Sequence, residues 1–157
     1  MPEIQSKFIE CYVCGISNGE IKFLLLKRSD NNKLYPGIWQ IVTGRIEGKE
    51  TASETAIREL KEETGLTPKR LYVIPGVTQF YSHQSDSIQL IPVFLAETKI
   101  KNIKLSEEHS EYDWLDYEEA VYRVHWLSQK ENLKLIKDCL MNDNLIKTLI
   151  EVNLSNE

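Results

Sequence analysis

Two stretches near the start of the chain are dominated by apolar, β-branched and aromatic residues, over positions 8–16 and 20–28, and both read as strands. Asn18-Gly19 between them is a strong two-residue hairpin signal. Residues 29–37 are polar, and Pro36-Gly37 marks a turn. A short strand is expected over 39–43. The hydrophobic period then changes from 2 to 3.6: Ala52, Ala56, Ile57 and Leu60 fall on one arc of a helix. Thr51 with Glu54 three residues later forms a capping box, so this helix starts at Ala52, and Gly65 supplies its left-handed stop. Two further strands are expected over 71–80 and 88–96, joined by a polar loop over 81–87. Pro75 and Pro92 point to edges or bulges in them. A short strand over 112–115 follows. Asp116 with Glu119 caps a short helix, and Ser128 with Glu131 caps a longer one that carries Leu133, Ile136 and Leu140 and extends toward Ile150. Residues 153–157 are expected to fray. With neither repeats nor linkers, the pattern predicts one α/β domain over residues 1–157.

Composition narrows the function. The net charge of −5 carries no basic stripe, which argues against a grip on nucleic-acid backbones. No apolar run reaches membrane-spanning length, and the N-terminus has no hydrophobic targeting core, so a cytoplasmic location is expected. Cys11 and Cys14 form a C-x-x-C, but in a strand this separation sends the two side chains to opposite faces. No second cysteine pair completes a zinc site. All three cysteines, Cys139 included, are expected to be buried small apolar residues.

The helix over 52–64 carries the chemistry. Glu59, Glu62 and Glu63 cluster beside its apolar arc, because neighbours at i, i+3 and i+4 share a face. Three carboxylates this close repel one another, and partial burial adds to the cost. A divalent cation relieves both penalties, and hard oxygen ligands suit Mg²⁺ or Mn²⁺. Arg58 can pair with Glu50 or Glu62 and hold the preceding loop to the helix. Gly44 permits a turn in which a backbone carbonyl joins the metal shell. An acidic amphipathic helix is most often a solvated face. Here, however, nine fixed positions over 23 residues, bounded by glycines, favour the metal-binding reading.

The nine positions are Gly44, Glu50, Arg58, Glu59, Leu60, Glu62, Glu63, Gly65 and Leu66. Together they resemble the Nudix box, GX5EX7REUXEEXGU with U aliphatic, and match it without departure. The resemblance implies an α/β/α sandwich around a central mixed β-sheet, and hydrolysis of a nucleoside diphosphate linked to another moiety with Mg²⁺, for which Mn²⁺ can substitute. It makes Glu59, Glu62 and Glu63 the metal-binding and catalytic set, with Arg58 and Glu50 as the supporting pair. Which glutamate acts as base is left open.

The runs WQIVTGRIEGKET, EHSEYDWLDYEEA and WLSQKENL are similar to the dihydroneopterin triphosphate (dATP) pyrophosphohydrolase branch of that family. That similarity implies Glu108 as a further metal ligand, and Arg28, Thr43 and Lys7 as substrate contacts. The expected reaction is water attack at phosphorus of a nucleoside or pterin triphosphate, giving monophosphate and pyrophosphate. His83 and His109 read as loop histidines, and His125 beside Trp126 as a residue lining the base pocket. Among Trp39, Phe80, Tyr81, Trp114 and Trp126, Tyr81 in the polar loop is the best stacking candidate. Tyr81 also keeps a dinucleoside polyphosphate substrate open, and Pro75 comes early for an ADP-ribose hydrolase. A non-catalytic nucleotide-sensing domain is the rival from another class, against which the complete box argues. A homodimer is left open.

Overall fold

The computed structural model describes residues 1–155. In chain order the elements are β1 (Glu3–Gln5), β2 (Phe8–Ser17), β3 (Glu20–Arg28), β4 (Trp39–Gln40), β5 (Val42–Arg45), α1 (Ala52–Thr64), β6 (Arg70–Ser82), β7 (Ser87–Glu97), β8 (His109–Leu115), α2 (Tyr117–Arg123), α3 (Leu127–Met141), α4 (Asp143–Ile146) and β9 (Ile150–Glu151). The sheet runs β4-β3-β2-β7-β6-β9, with β1 on β7, β5 on β2 and β8 on β3. Its β2–β7 and β1–β7 ladders are parallel and the others antiparallel, so it is the expected mixed sheet.

Alternation along β2 divides the interior into two layers. Ile9, Cys11 and Val13 pack with Ala56 and Leu60 of α1. Tyr12 and Cys14 pack with Ala120 and Val124 behind α2 and with Leu133, Ile136 and Cys139 of α3. The cysteines of the C-x-x-C therefore lie on opposite faces, buried and unbonded. Asn18 and Gly19 take φ of 52° and 76°, as a tight hairpin turn between β2 and β3 requires. Helix α1 has its full capping box and ends on Gly65 at φ 74°.

The structure corrects several boundaries. The strand expected over 39–43 is broken at Ile41, because the chain changes partner there, from β3 to β2. Strand β6 runs on to Ser82, pairing Tyr81 with Ile88, so Tyr81 sits on a strand and not in the loop. The ladder slips between Val73 and Val77, around Pro75. Pro92 falls between the β7 residues that pair with β1 and those that pair with β2, and pairs with Val77 of β6 at the end of that slip. Helix α3 begins at Leu127 after Trp126, without a side-chain cap, so Ser128 lies inside it. It stops at Asn142, whose side chain caps α4, and Ile150 belongs to a strand. Residues 152–154 are tied down: the Val152 N–H donates to the Leu71 carbonyl at 2.8 Å, and Leu154 packs on the α1-side core. Of the rest of the tail expected to fray, Ser155 N–H donates to Asn153 Oδ1 at 3.0 Å, and positions 156–157 lie outside the described residues.

Candidate active site

Strand β5 and helix α1 meet edge to face. Gly44 pairs with Ile9 and shares the α1 side of the sheet. A Cβ at Gly44 would overlap the side chain of Glu59, so glycine here lets the helix carboxylate come against the strand. Arg58 ties the loop to the helix. Its Nε donates to Glu50 Oε1 at 2.7 Å and its Nη2 to Glu50 Oε2 at 3.1 Å, a bidentate clasp. Nη1 donates to Glu59 Oε1 at 2.9 Å and Glu62 Oε2 at 3.2 Å, and Nη2 also reaches the Arg45 carbonyl at 2.9 Å. Both partners expected from the sequence are used. The Arg58 guanidinium draws the Glu50 carboxyl down to about 2.

Glu63 is 4 % exposed, and its Oε2 is buried with no hydrogen-bond partner. Ligand atoms of Glu63, Glu108 and His109 lie within 4.8 Å of one another. Burial first, and then the charges of Glu59 and Glu108, push the Glu63 carboxyl well above the usual range. Burial likewise raises Glu59, against the pull of Arg58. Glu108 is fixed by its backbone: its carbonyl accepts from Ser29 N–H at 2.9 Å and from Asn32 Nδ2 at 2.8 Å. Arg28 lies near enough to act on both Glu63 and His109, and its own Nε donates to the Leu34 carbonyl at 3.1 Å.

An oxygen that is buried, ionisable and unpartnered among like charges is costly, unless a cation completes the arrangement. The donor set here is carboxylate-rich with one imidazole, and this chemistry fits a hard divalent ion. Glu59 and Glu62 each hold Arg58 by one oxygen and leave the other available.

The NUDIX domain model matches residues 9–139. The chain belongs to the Nudix family. It is 35 % identical over 124 residues to the asymmetrical bis(5′-nucleosyl)-tetraphosphatase of Mus musculus, covering 76 % of this chain and 80 % of that one. The nucleoside triphosphatase NudI of Escherichia coli K12 is 25 % identical over 131 residues, covering 78 % and 93 %. A solved Nudix hydrolase from Listeria monocytogenes superposes with a TM-score of 0.74 at 26 % identity, over 89 % of this chain and 97 % of that one. This is a Nudix hydrolase, an enzyme of nucleotide phosphoanhydrides, in a family that generally works with a divalent metal.

The other residues singled out from the sequence are scattered around this Nudix centre. Lys7 is exposed, and its carbonyl accepts from Ile46 N–H at 2.9 Å, which places it beside the entry to the box. Thr43 pairs with Glu10 and so faces away from α1. His125 is exposed and lies edge-on to Trp126, with ring centroids 4.7 Å apart. Tyr81 is also exposed, but its hydroxyl donates to Asp86 Oδ1 at 2.9 Å within its own hairpin, and not to the acid cluster.

Two features escaped the sequence reading. His109 is not a loop residue: it opens β8, is 4 % exposed, and comes within 3.5 Å of Gln40 Nε2. Burial, with Arg28 second, lowers it to about 4, so it is neutral at neutral pH. The other is a buried polar cluster on the α3 side, where Glu10 accepts at Oε2 from Tyr12 hydroxyl at 2.9 Å, Thr78 Oγ1 at 3.1 Å and Asn132 Nδ2 at 3.3 Å. Glu10 was legible as a charge inside an apolar strand run, but its partners are 68 and 122 residues away.

Proposed function

We propose that this enzyme is a Mg²⁺-dependent pyrophosphohydrolase, cleaving a nucleoside or pterin triphosphate to the monophosphate and pyrophosphate. The observation that carries the reading is the buried, unpartnered Oε2 of Glu63 beside Glu108 and His109. Glu59, Glu62, Glu63, Glu108 and the Gly44 carbonyl would hold the metal, with Mn²⁺ able to substitute. When bound, the ion supplies positive charge to the phosphate oxygens and acidity to a nearby water. Arg28 and Lys7 add charge on the phosphate side, and Thr43 lies one residue from Gly44 on the way to the rest of the substrate. A box glutamate oxygen not engaged by Arg58 takes the proton of the attacking water. The bidentate Arg58–Glu50 clasp keeps the carboxylates in place. His125 and Tyr81 belong to the outer part of the substrate site in this reading, and a single domain carries it.

The triphosphate reading is supported by similarity to NudI along 93 % of that protein. A second reading, asymmetric cleavage of a dinucleoside tetraphosphate, is favoured by the higher identity to the mouse tetraphosphatase. Incubation with Mg²⁺ and a panel of nucleoside triphosphates, dihydroneopterin triphosphate and diadenosine tetraphosphate separates them. Pyrophosphate as the dominant product from a triphosphate is the expected result. Preferential splitting of the tetraphosphate into a triphosphate and a monophosphate would replace it with the second reading.

A further inference from the structure

Between β7 and β8 the chain runs outside both strands over residues 98–108, with apolar side chains turned in and lysines turned out. Ile100 fills the space that a Cβ at Gly15 would need, and Ile103 and Leu105 pack on the α1-side core. Lys99, Lys101 and Lys104 are exposed. The segment is pinned by its backbone: Thr98 N–H donates to the Cys14 carbonyl at 2.8 Å, Trp114 Nε1–H to the Lys101 carbonyl at 3.1 Å, and Lys104 N–H to the Thr64 carbonyl at 3.2 Å. Lys101 is thus held to β8, and Lys104 to the last turn of α1.

A cleft of about 620 Å³ opens between this segment and that last turn, a size suited to a small molecule. Lys61, Lys101 and Lys104 line it, against the one carboxylate of Glu62, so in a chain of net charge −5 the local sign is reversed. Lys61 Nζ donates to the Gly65 carbonyl at 3.2 Å, and Gly65 also lines the cleft, which places this ammonium at its wall with two donors to spare. The bonds to the Thr64 and Gly65 carbonyls satisfy the negative end of α1, which would otherwise oppose an anion. One oxygen of Glu62 already accepts from Arg58 Nη1 at 3.2 Å. Ser106 lines the cleft too, and its Oγ is buried without a hydrogen-bond partner. A surplus of ammonium donors beside an unpartnered hydroxyl fits an oxyanion.

We propose that this cleft is a second anion site, which binds an oligophosphate beside the acid cluster through Lys61, Lys101 and Lys104. Glu62 borders both places, so phosphates that leave the centre, or extend beyond it, pass the cleft. Separate ammonium point charges suit a linear chain of phosphates better than a single compact anion. Two sources share this chemistry: inorganic pyrophosphate on its release, and phosphates still carried by a nucleotide. The proposal rests on the hydrolase reading for the origin of the anion, while the binding itself is tested without turnover.

The test is calorimetric titration of the full chain with pyrophosphate and with ATP, in chelator at low salt. Without metal the acid cluster repels anions, so phosphate binding reports on the cleft. Binding of at least one of the two is expected, and whichever is tighter identifies the source. Lys101→Gln combined with Lys104→Gln keeps the exposed stems, so the thermal midpoint should hold while binding weakens about tenfold or more, the usual worth of a hydrogen bond to a charged group. Lys134→Gln combined with Lys147→Gln removes the same charge from exposed positions on and beyond α3, and should leave the affinity nearly unchanged. No binding of either anion at millimolar concentration, wild-type affinity in the Lys101 and Lys104 variant, or equal weakening in the Lys134 and Lys147 variant would overturn the proposal. Failure of the hydrolase reading shows separately, as absence of pyrophosphate release in Mg²⁺.

Discussion

Glu10 on β2 and Glu63 on α1 are both buried carboxylates, one on each side of the sheet, and they differ in company. Glu10 meets three neutral donors, and its neighbours reduce the cost of burial without adding charge. Glu63 meets Glu59, Glu62 and Glu108, and one of its oxygens meets no donor. Burial raises both carboxyls, but hydrogen bonds pull Glu10 back down while like charges push Glu63 further up. A carboxylate of the first kind is largely satisfied by the fold. One of the second kind is unfavourable until something positive arrives, which is the physical signature of a binding centre.

The sharpest way to break this contrast is Glu63→Gln. The amide keeps the shape and removes the charge, so kcat in saturating Mg²⁺ should fall about 10²- to 10⁴-fold. The metal-free thermal midpoint should hold or rise, because repulsion from Glu59 and Glu108 is lost. Wild type should also gain about 2.7 kcal/mol of stability at a metal concentration a hundred times Kd, and Glu63→Gln should gain much less. Near-normal turnover in the variant, or equal stabilisation of both proteins by metal, would remove Glu63 from the centre.

A smaller effect is expected one turn back on the same helix. Arg58→Lys replaces a fork that grips Glu50 through two nitrogens by a single ammonium. About 1–3 kcal/mol of stability should go, by the cost of breaking charge-assisted bonds in a half-buried site. The loss of kcat should be smaller than for Glu63→Gln, because Arg58 positions the carboxylates and does not replace them. Unchanged urea midpoints would show that the clasp is ornamental.

The two sides of the sheet also differed in how far the sequence reached. Everything on α1 could be read locally: the capping box, the left-handed Gly65 and the crowding of Glu59, Glu62 and Glu63 all follow from spacings of three and four residues. The partition of Cys11 and Cys14 was legible for the same reason, from the alternation of a strand. What failed depended on distant partners. Ile41 breaks a strand because two different strands wait on either side of it, and Tyr81 is extended because Ile88 pairs with it. His109 looked like a loop histidine until β8 paired with β3 and carried it under Arg28. The Glu10 cluster joins β2, β6 and α3, and no local pattern brings those three together.

The finest probe of the comparison is the pH dependence of stability in Glu10→Gln. In wild type the folded-state carboxyl of Glu10 is raised above 4.5 by burial. Folded protein thus keeps a proton that the unfolded chain releases, and this contribution is full below 4.5 and is lost as pH rises through the folded value. Gln does not titrate. The stability of Glu10→Gln relative to wild type should therefore be flat below 4.5 and climb above it, by at most about 1.4 kcal/mol per pH unit for one proton. Glu63 slopes the same way, and His109 the opposite way between about 4 and 6.5. Both are common to the two metal-free proteins and cancel in the difference. A flat difference curve from pH 4 to 8, by urea melts in chelator, would mean that the three donors offset the burial of Glu10 completely.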